Sequence, residues 1–339
     1  MYLPPLNRPG AAEDALGSRA RTKAHDVPVL MYHSIATSAR PRFARFVVRP
    51  AEFAAQMDLL AAAGYKPIAA RDLARQSPDG DLPARPVVLT FDDAFADFES
   101  AVMPILQKHG FPATIYVPTG YAGRTASWLR DCGEEKRPIL SWRALRDIAS
   151  AGIEVASHSH THPQLDRIGI PLVMDEVQRS RNMLEDNLGI PIEGFAYPFG
   201  YWNRSVRSCV SAAGYSYACA VGELPVSATA DPLTLPRVTV VGGAGVDGFA
   251  RSLTRCSTPP ARLSSQMKQL AWRAIRRHIH SVGGDAQPIH DQNEAACDWP
   301  ESERQASPPA SEQRSSRIAA QADNHLREAG TSRHASDWL

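Results

Sequence analysis

A chain of 339 residues is long enough for one large domain or two small ones, with a core that folds unaided. Its apolar fraction of 43% is ordinary for a soluble globular protein, and a formal net charge of +1 gives no global field to attract nucleic acid or an anionic membrane. The sequence shows no basic-then-apolar leader, no run of roughly 18–20 apolar residues and no C-x-x-C pair among five scattered cysteines. The expectation is therefore a cytoplasmic protein with incidental thiols, no nucleic-acid partner and no membrane span.

Residues 1–26 carry Pro, Gly and charge without periodicity and read as a flexible arm. The apolar run 27–33 is the first expected strand. Phe53, Met57 and Leu60 recur at helical spacing over 50–63, with Gly64 as the stop, and a second helix is expected over 69–75. Residues 86–91 form a continuous, β-branched apolar run, as expected of a strand covered on both faces. A helix over 97–108, a strand over 113–117, a helix over 142–151 capped by Ser141 and a strand over 153–156 follow. Then come a helix over 173–188, a strand over 194–197, a helix over 205–213 and strands over 217–221 and 235–241. Strands alternating with helices imply a parallel sheet, and about seven repeats favour a closed or nearly closed barrel over an open sheet. No G-x-G-x-x-G follows the first strand, which removes a dinucleotide-binding fold. Beyond residue 249 the order fades. Residues 251–282 read as a basic linker with one possible helix at 262–280, and 283–339 are too polar to offset their ordering entropy and read as a disordered tail.

Two clusters carry chemistry. Thr90-Phe91-Asp92-Asp93 places adjacent carboxylates at the end of a buried strand. They call for a cation or a shared proton unless they merely end in a solvated turn or cap a helix. Ser157-His158-Ser159-His160-Thr161-His162 puts three histidines directly after another strand. His158 and His162 converge if the segment turns helically, and His160 then points elsewhere. A His-rich surface loop is the plainer alternative. Two His and one Asp leave positions on a metal open for water and substrate. Both clusters follow strand C-termini, where active sites of such barrels gather.

Thr90-Phe91-Asp92-Asp93, then His158-x-x-x-His162, then Tyr197-Pro198-Phe199-Gly200 resemble, in order and spacing, the signature motifs of the polysaccharide deacetylases. This is carbohydrate esterase family four, with the nodulation-type chitooligosaccharide deacetylase homology domain. The opening Val27-Pro28-Val29-Leu30-Met31-Tyr32-His33 is similar to the branch acting on exopolysaccharides and poly-N-acetylglucosamine. The likeness covers about residues 27–245, and 27–250 are assigned as the catalytic domain. The resemblance implies a distorted (β/α)7-type barrel, Asp92 as general base, and Asp93, His158 and His162 as ligands of a divalent metal, usually zinc. It implies removal of N-acetyl groups from N-acetylglucosamine-type residues of an oligo- or polysaccharide or its precursor. A backbone N–H near Phe199 would stabilise the oxyanion.

The chain departs from the family at two points. Ala196 stands where many members have an Arg that orients the base, and the late Leu-x-His element that supplies the acid is missing, the last strand reading Leu235-Pro236-Arg237. Relocation is expected: Arg237 for the orienting guanidinium and His33 for the acid. Tyr197, Phe199 and Trp142 are the substrate-contact candidates. Trp142 and Trp128 are candidates to line an acetyl pocket or stack on a sugar face, and Trp142 reads equally as core at the start of its helix. An O-acetyl esterase on the same scaffold, and an inactive carbohydrate-binding protein, are the rival readings.

Overall fold

A computed structural model describes residues 26–255, apart from 76–81, 223 and 228–229. The arm, the possible helix at 262–280 and the tail fall outside these residues. In chain order the elements are β1 (Val29–Tyr32), β2 (Ser34–Ile35), β3 (Val47–Val48), α1 (Pro50–Ala62), β4 (Lys66–Ile68) and α2 (Ala70–Ala74). Then come β5 (Pro86–Phe91), α3 (Met103–His109), β6 (Thr114–Val117), α4 (Trp142–Ser150), β7 (Glu154–Ser157) and α5 (Ile170–Leu188). The last are β8 (Gly194–Ala196), α6 (Arg204–Ala212), β9 (Tyr217–Val221), β10 (Leu235–Thr239) and α7 (Gly245–Arg255).

Seven parallel strands close a ring in the order β1-β10-β9-β8-β7-β6-β5, because β1 pairs with β10 on one edge (Leu30 opposite Val238) and with β5 on the other (Val29 opposite Val88). The two-residue period of a strand then sorts the side chains. Val29, Val88, Tyr116, Ala156, Ala196, Tyr217, Cys219 and Leu235 pack together inside the ring. Their neighbours Leu30, Leu89, Ile115, Val155, Phe195 and Tyr197 pack outward into the larger core under the helices, with Phe53, Leu145 and Val177. Both faces of the ring strands are thus mostly apolar, apart from inward Thr114, Glu154 and Arg237, which explains the hydrophobic runs.

The distortion has a specific cause. β6 meets β5 only at Thr90 and Phe91, while β4 occupies the Pro86–Val88 half of the same edge. β5 and β6 therefore separate towards their N-terminal ends, and α2 fills the gap, with Ala70 and Leu73 joining the interior cluster. Inside this end, buried Glu154 accepts from Tyr217 Oη (2.8 Å), Thr114 Oγ1 (2.7 Å) and the Arg71 amide (3.0 Å), and Thr114 Oγ1 accepts from the Ala70 amide (2.9 Å). The first turn of α2 is capped by the barrel floor.

Several details differ from the sequence reading. β4 and the β2–β3 pair were not expected, being two or three residues long with no readable alternation. Residues 98–102 open α3 with a π-helical turn, α5 starts at Ile170, and order continues through α7, which packs on α1. Cys209 and Cys219 are buried thiols, whereas Cys132 is disulfide-bonded and departs from that reading. Among the described residues no helix is long and apolar enough to cross a membrane.

Candidate metal centre and active site

Asp92 and Asp93 follow β5 directly, and the backbone separates them. Asp93 (φ 71°) and Ala94 (φ 50°) both adopt left-handed conformations, which cost more for Ala than for Asp. This kink sends the two carboxylates to different partners. It is held by Leu140, whose amide donates to Ala94 O (2.9 Å), and by Ala96, whose amide donates to Pro138 O (2.9 Å). Strain of this kind persists only where the surroundings impose it.

The histidine loop is built differently from the expected helical turn. Ser159 (φ 64°) and His162 (φ 60°) are left-handed, and His162 donates its amide to Ser159 Oγ (3.0 Å). Glu176 of α5 clasps the loop from outside, accepting from the His160 and Thr161 amides (2.8 and 2.7 Å) and from Thr161 Oγ1 (2.5 Å). On the other side Gly120 donates to His160 O (2.8 Å), and a Cβ at Gly120 would lie 2.8 Å from that oxygen. His160 bonds Thr119 Oγ1 through Nδ1 (2.9 Å), outside the triad, as expected.

Asp93, His158 and His162 each point one ligand atom at a common centre, all within 4.8 Å of one another, and all three residues are buried. Asp93 Oδ1 lies 3.3 Å from His162 Nε2 and 3.7 Å from His158 Nε2, and makes no well-aligned hydrogen bond. Metal–ligand bonds of about 2.0–2.1 Å at the tetrahedral angle place donor atoms roughly 3.3 Å apart, so the donor set fits a small divalent cation. His158 Nδ1 bonds Ala196 O (2.8 Å), which leaves Nε2 as its inward atom. Burial lowers the His158 pKa to about 4, against the raising effect of Asp92, and keeps the imidazole in the neutral form that binds metals.

Beside the triad, Arg237 forms a bidentate pair with Asp92 (Nη1–Oδ1 2.6 Å, Nη2–Oδ2 2.7 Å) and also donates to Thr90 Oγ1 (3.3 Å). The guanidinium is fully buried and lies over the Tyr116 ring at 5.2 Å. Burial would raise the Asp92 pKa, but Arg237, helped by His158, overrides it and holds the carboxyl at about 2. Burial likewise works against the Arg237 charge, and Asp92 more than restores it. β9 separates β8 from β10, so the guanidinium comes from the second strand beyond Ala196.

His33 follows β1, half-buried against Phe46 (4.8 Å) and within electrostatic reach of Asp92, Asp93, Arg237 and His162. Burial lowers its pKa while the two carboxylates oppose that shift. The aromatic candidates divide. Phe199, left-handed at φ 58°, sets its ring edge-on to His162 at 4.8 Å. Tyr197 is a correction: its ring is buried in the outer core and its hydroxyl donates to Leu233 O (2.9 Å), so it is a packing residue and not a substrate contact. Trp142 packs half-buried on the outer core at the start of α4, and Trp128 instead is the tryptophan at the triad, stacked on His162 at 5.1 Å. Nothing in the spacing ranks Trp128 above Trp142. Glu176 did leave a signal, a charge on the face of α5 that buries Val173, Val177, Ser180 and Leu184.

Residues 79–218 match the polysaccharide deacetylase family. The poly-beta-1,6-N-acetyl-D-glucosamine N-deacetylase of Staphylococcus aureus is 21% identical over 249 residues, covering 68% of this chain and 83% of that relative. Among solved structures, a deacetylase of Streptococcus pyogenes in complex with acetate aligns with a TM-score of 0.59 at 25% identity, covering 68% of this chain and 99% of the other. A polysaccharide deacetylase of Bacillus cereus aligns at 0.57 and 26%, covering 68% and 69%. The closed seven-strand ring, the motif residues gathered at its C-terminal mouth and these likenesses agree, and residues 79–218 carry a polysaccharide deacetylase domain.

Proposed function

We propose that the protein is a metal-dependent carbohydrate N-deacetylase acting on N-acetylglucosamine-type residues of an oligo- or polysaccharide or its precursor. The observation that carries this reading is the buried Asp93, His158 and His162 triad directly beside a carboxylate held ionised by Arg237. A divalent cation on that triad, zinc being the first expectation, supplies Lewis acidity towards water and the acetyl carbonyl.

The chain's own residues do the rest. Asp92, kept anionic and fixed by two hydrogen bonds, accepts the proton of the attacking water. Arg237 holds its two oxygens in one orientation. The Phe199 backbone N–H serves the developing oxyanion. His33, facing both carboxylates, protonates the departing amine. His33→Ala should then lose most amide hydrolysis yet keep far more activity on an activated aryl acetate, whose phenolate leaves without a proton. Equal losses on both substrates would remove His33 from that role.

The polymer named in the Staphylococcus aureus relative supports a β-linked N-acetylglucosamine substrate, since the shared length spans most of that enzyme. An O-acetyl ester would use the same groups. Acetate release from matched N-acetyl and O-acetyl sugars by metal-reconstituted protein tests the reading. Release from the amide series is expected. Release from esters alone moves the assignment to an esterase, and release from neither leaves a binding protein.

A further inference from the structure

The two metal-ligand histidines are held in different ways. His158 is fixed by the bond from Nδ1 to Ala196 O. The Nδ1 atom of His162 is buried with no hydrogen-bond partner. A ligating imidazole normally has its second nitrogen bonded, which sets the plane of the ring. At His162 that plane is set by rings instead. Trp128 stacks on it at 5.1 Å and 29°, Phe199 meets it edge-on at 4.8 Å, and the row continues outward through Tyr121 (4.6 Å from Trp128) and Tyr201 (6.3 Å from Phe199). His162 is the middle member of a five-ring row.

The Trp128 end of the row is held by packing and by the loops around it. Trp128 is buried, and its indole N–H has no partner either, so packing alone keeps it in place. The segment that carries it is tied to the stem of the Asp93 kink through Leu140 and Ala94, and Arg137 binds Glu134, Asp97 and Ser34 between the same loops.

We infer that Trp128 is a positioning residue for the metal: its ring, with Phe199 opposite, replaces the missing hydrogen bond at His162 and sets the direction of the Nε2 lone pair. This rests on the metal-dependent reading above. The test uses the full chain, stripped and titrated with Co2+, with affinity read by competition against a chelating dye and geometry by the visible cobalt spectrum. Trp128→Leu should weaken cobalt binding by roughly 10–100-fold, the scale seen when a ligand's supporting partner is removed, and should alter the spectrum. Trp128→Phe, which keeps a stacking ring, should stay within about threefold of the wild-type protein. Phe199→Ala should shift affinity in the same direction as Trp128→Leu, with metal-free melting little changed. Wild-type affinity and spectrum in both Trp128→Leu and Phe199→Ala would overturn the inference, as would a Trp128→Phe protein as weak as Trp128→Leu. A wild-type protein that fails to bind cobalt would instead overturn the metal reading on which the inference stands.

Discussion

Strand β7 carries Glu154 at the floor of the barrel and runs into His158 at its mouth, four residues and about 13 Å further along the same inward-facing row. Both are buried ionisable groups, yet their surroundings differ in kind. At the floor Tyr217, Thr114 and the first turn of α2 all donate to Glu154, and none of the residues that bond it is left-handed. At the mouth Asp93 Oδ1, His162 Nδ1 and Arg237 Nε are buried without a well-aligned hydrogen bond, and Asp93, Ala94, Ser159, His162 and Phe199 are all left-handed. A satisfied buried polar group holds a fold together, whereas orphaned atoms and strained backbone mark the place where something else is to be bound. The two ends of one barrel show a division between stability and chemistry.

The largest effects should fall at the mouth and leave the fold intact. Asp93→Ala and His158→Ala should empty the metal site and reduce turnover to background, while His160→Ala keeps the metal, as elemental analysis would show. Metal loss in His160→Ala with retention in His158→Ala would break the ligand assignment. Asp92→Asn keeps shape but cannot accept a proton, so kcat should fall roughly 10²–10⁴-fold at full metal occupancy. Normal turnover with Asn there would exclude Asp92 as the base.

The floor should respond in the opposite sense. Glu154→Ala orphans a tyrosine hydroxyl, a threonine hydroxyl and a backbone amide, each costing about 1–3 kcal/mol when buried. Chemical denaturation should show that loss while metal content stays normal and kcat moves only a few-fold. A stable Glu154→Ala protein with impaired turnover would erase the distinction between the two ends.

The smallest effect is one of sign. His158 has a folded pKa of about 4 against an ordinary value of 6.5, so between these pH values only the unfolded chain takes up that proton. Metal-free protein should therefore lose stability as pH falls through that window, and again from about 4 towards 2 as Asp92 is protonated. Glu154 acts the other way. Burial raises its folded pKa, so the folded state binds its proton first and gains stability as pH falls towards 4.5. Glu154→Gln should steepen acid destabilisation in melting curves of the metal-free protein, and an unchanged slope would remove Glu154 from this account.

The candidate metal cluster was legible because three residues suited to one chemistry follow strand ends, and strand ends are readable from hydrophobic runs. Arg237 was legible only as a replacement, through the absence of an Arg at Ala196. The floor was not legible, since Glu154 in sequence is a single charge at the start of an apolar run, and only barrel closure brings Tyr217 and Thr114 to it. The left-handed residues were equally hidden. Ala94, Ser159, His162 and Phe199 are not Gly, and tertiary contacts rather than local preference hold them there. Tyr197 misled for the opposite reason, because its place in a motif suggested the cleft while strand parity turns it outward.

The pairing of Asp92 with Arg237 joins residues 145 positions apart, one just past β5 and one on β10, with β1 lying between those strands. The candidate ligands Asp93, His158 and His162, with the Glu176, Ala196 and Phe199 groups that position them, are by contrast all present once residue 199 has been made. During synthesis the candidate ligand cluster can therefore assemble before Asp92 acquires its guanidinium, which waits for the last barrel strand and the closing of the ring. Contacts this distant in sequence form late because chain closure must come first. Under the proposed function, a chain lacking β10 would present the ligand cluster beside an unoriented Asp92, and hydrolytic competence would arrive only with the closing of the ring.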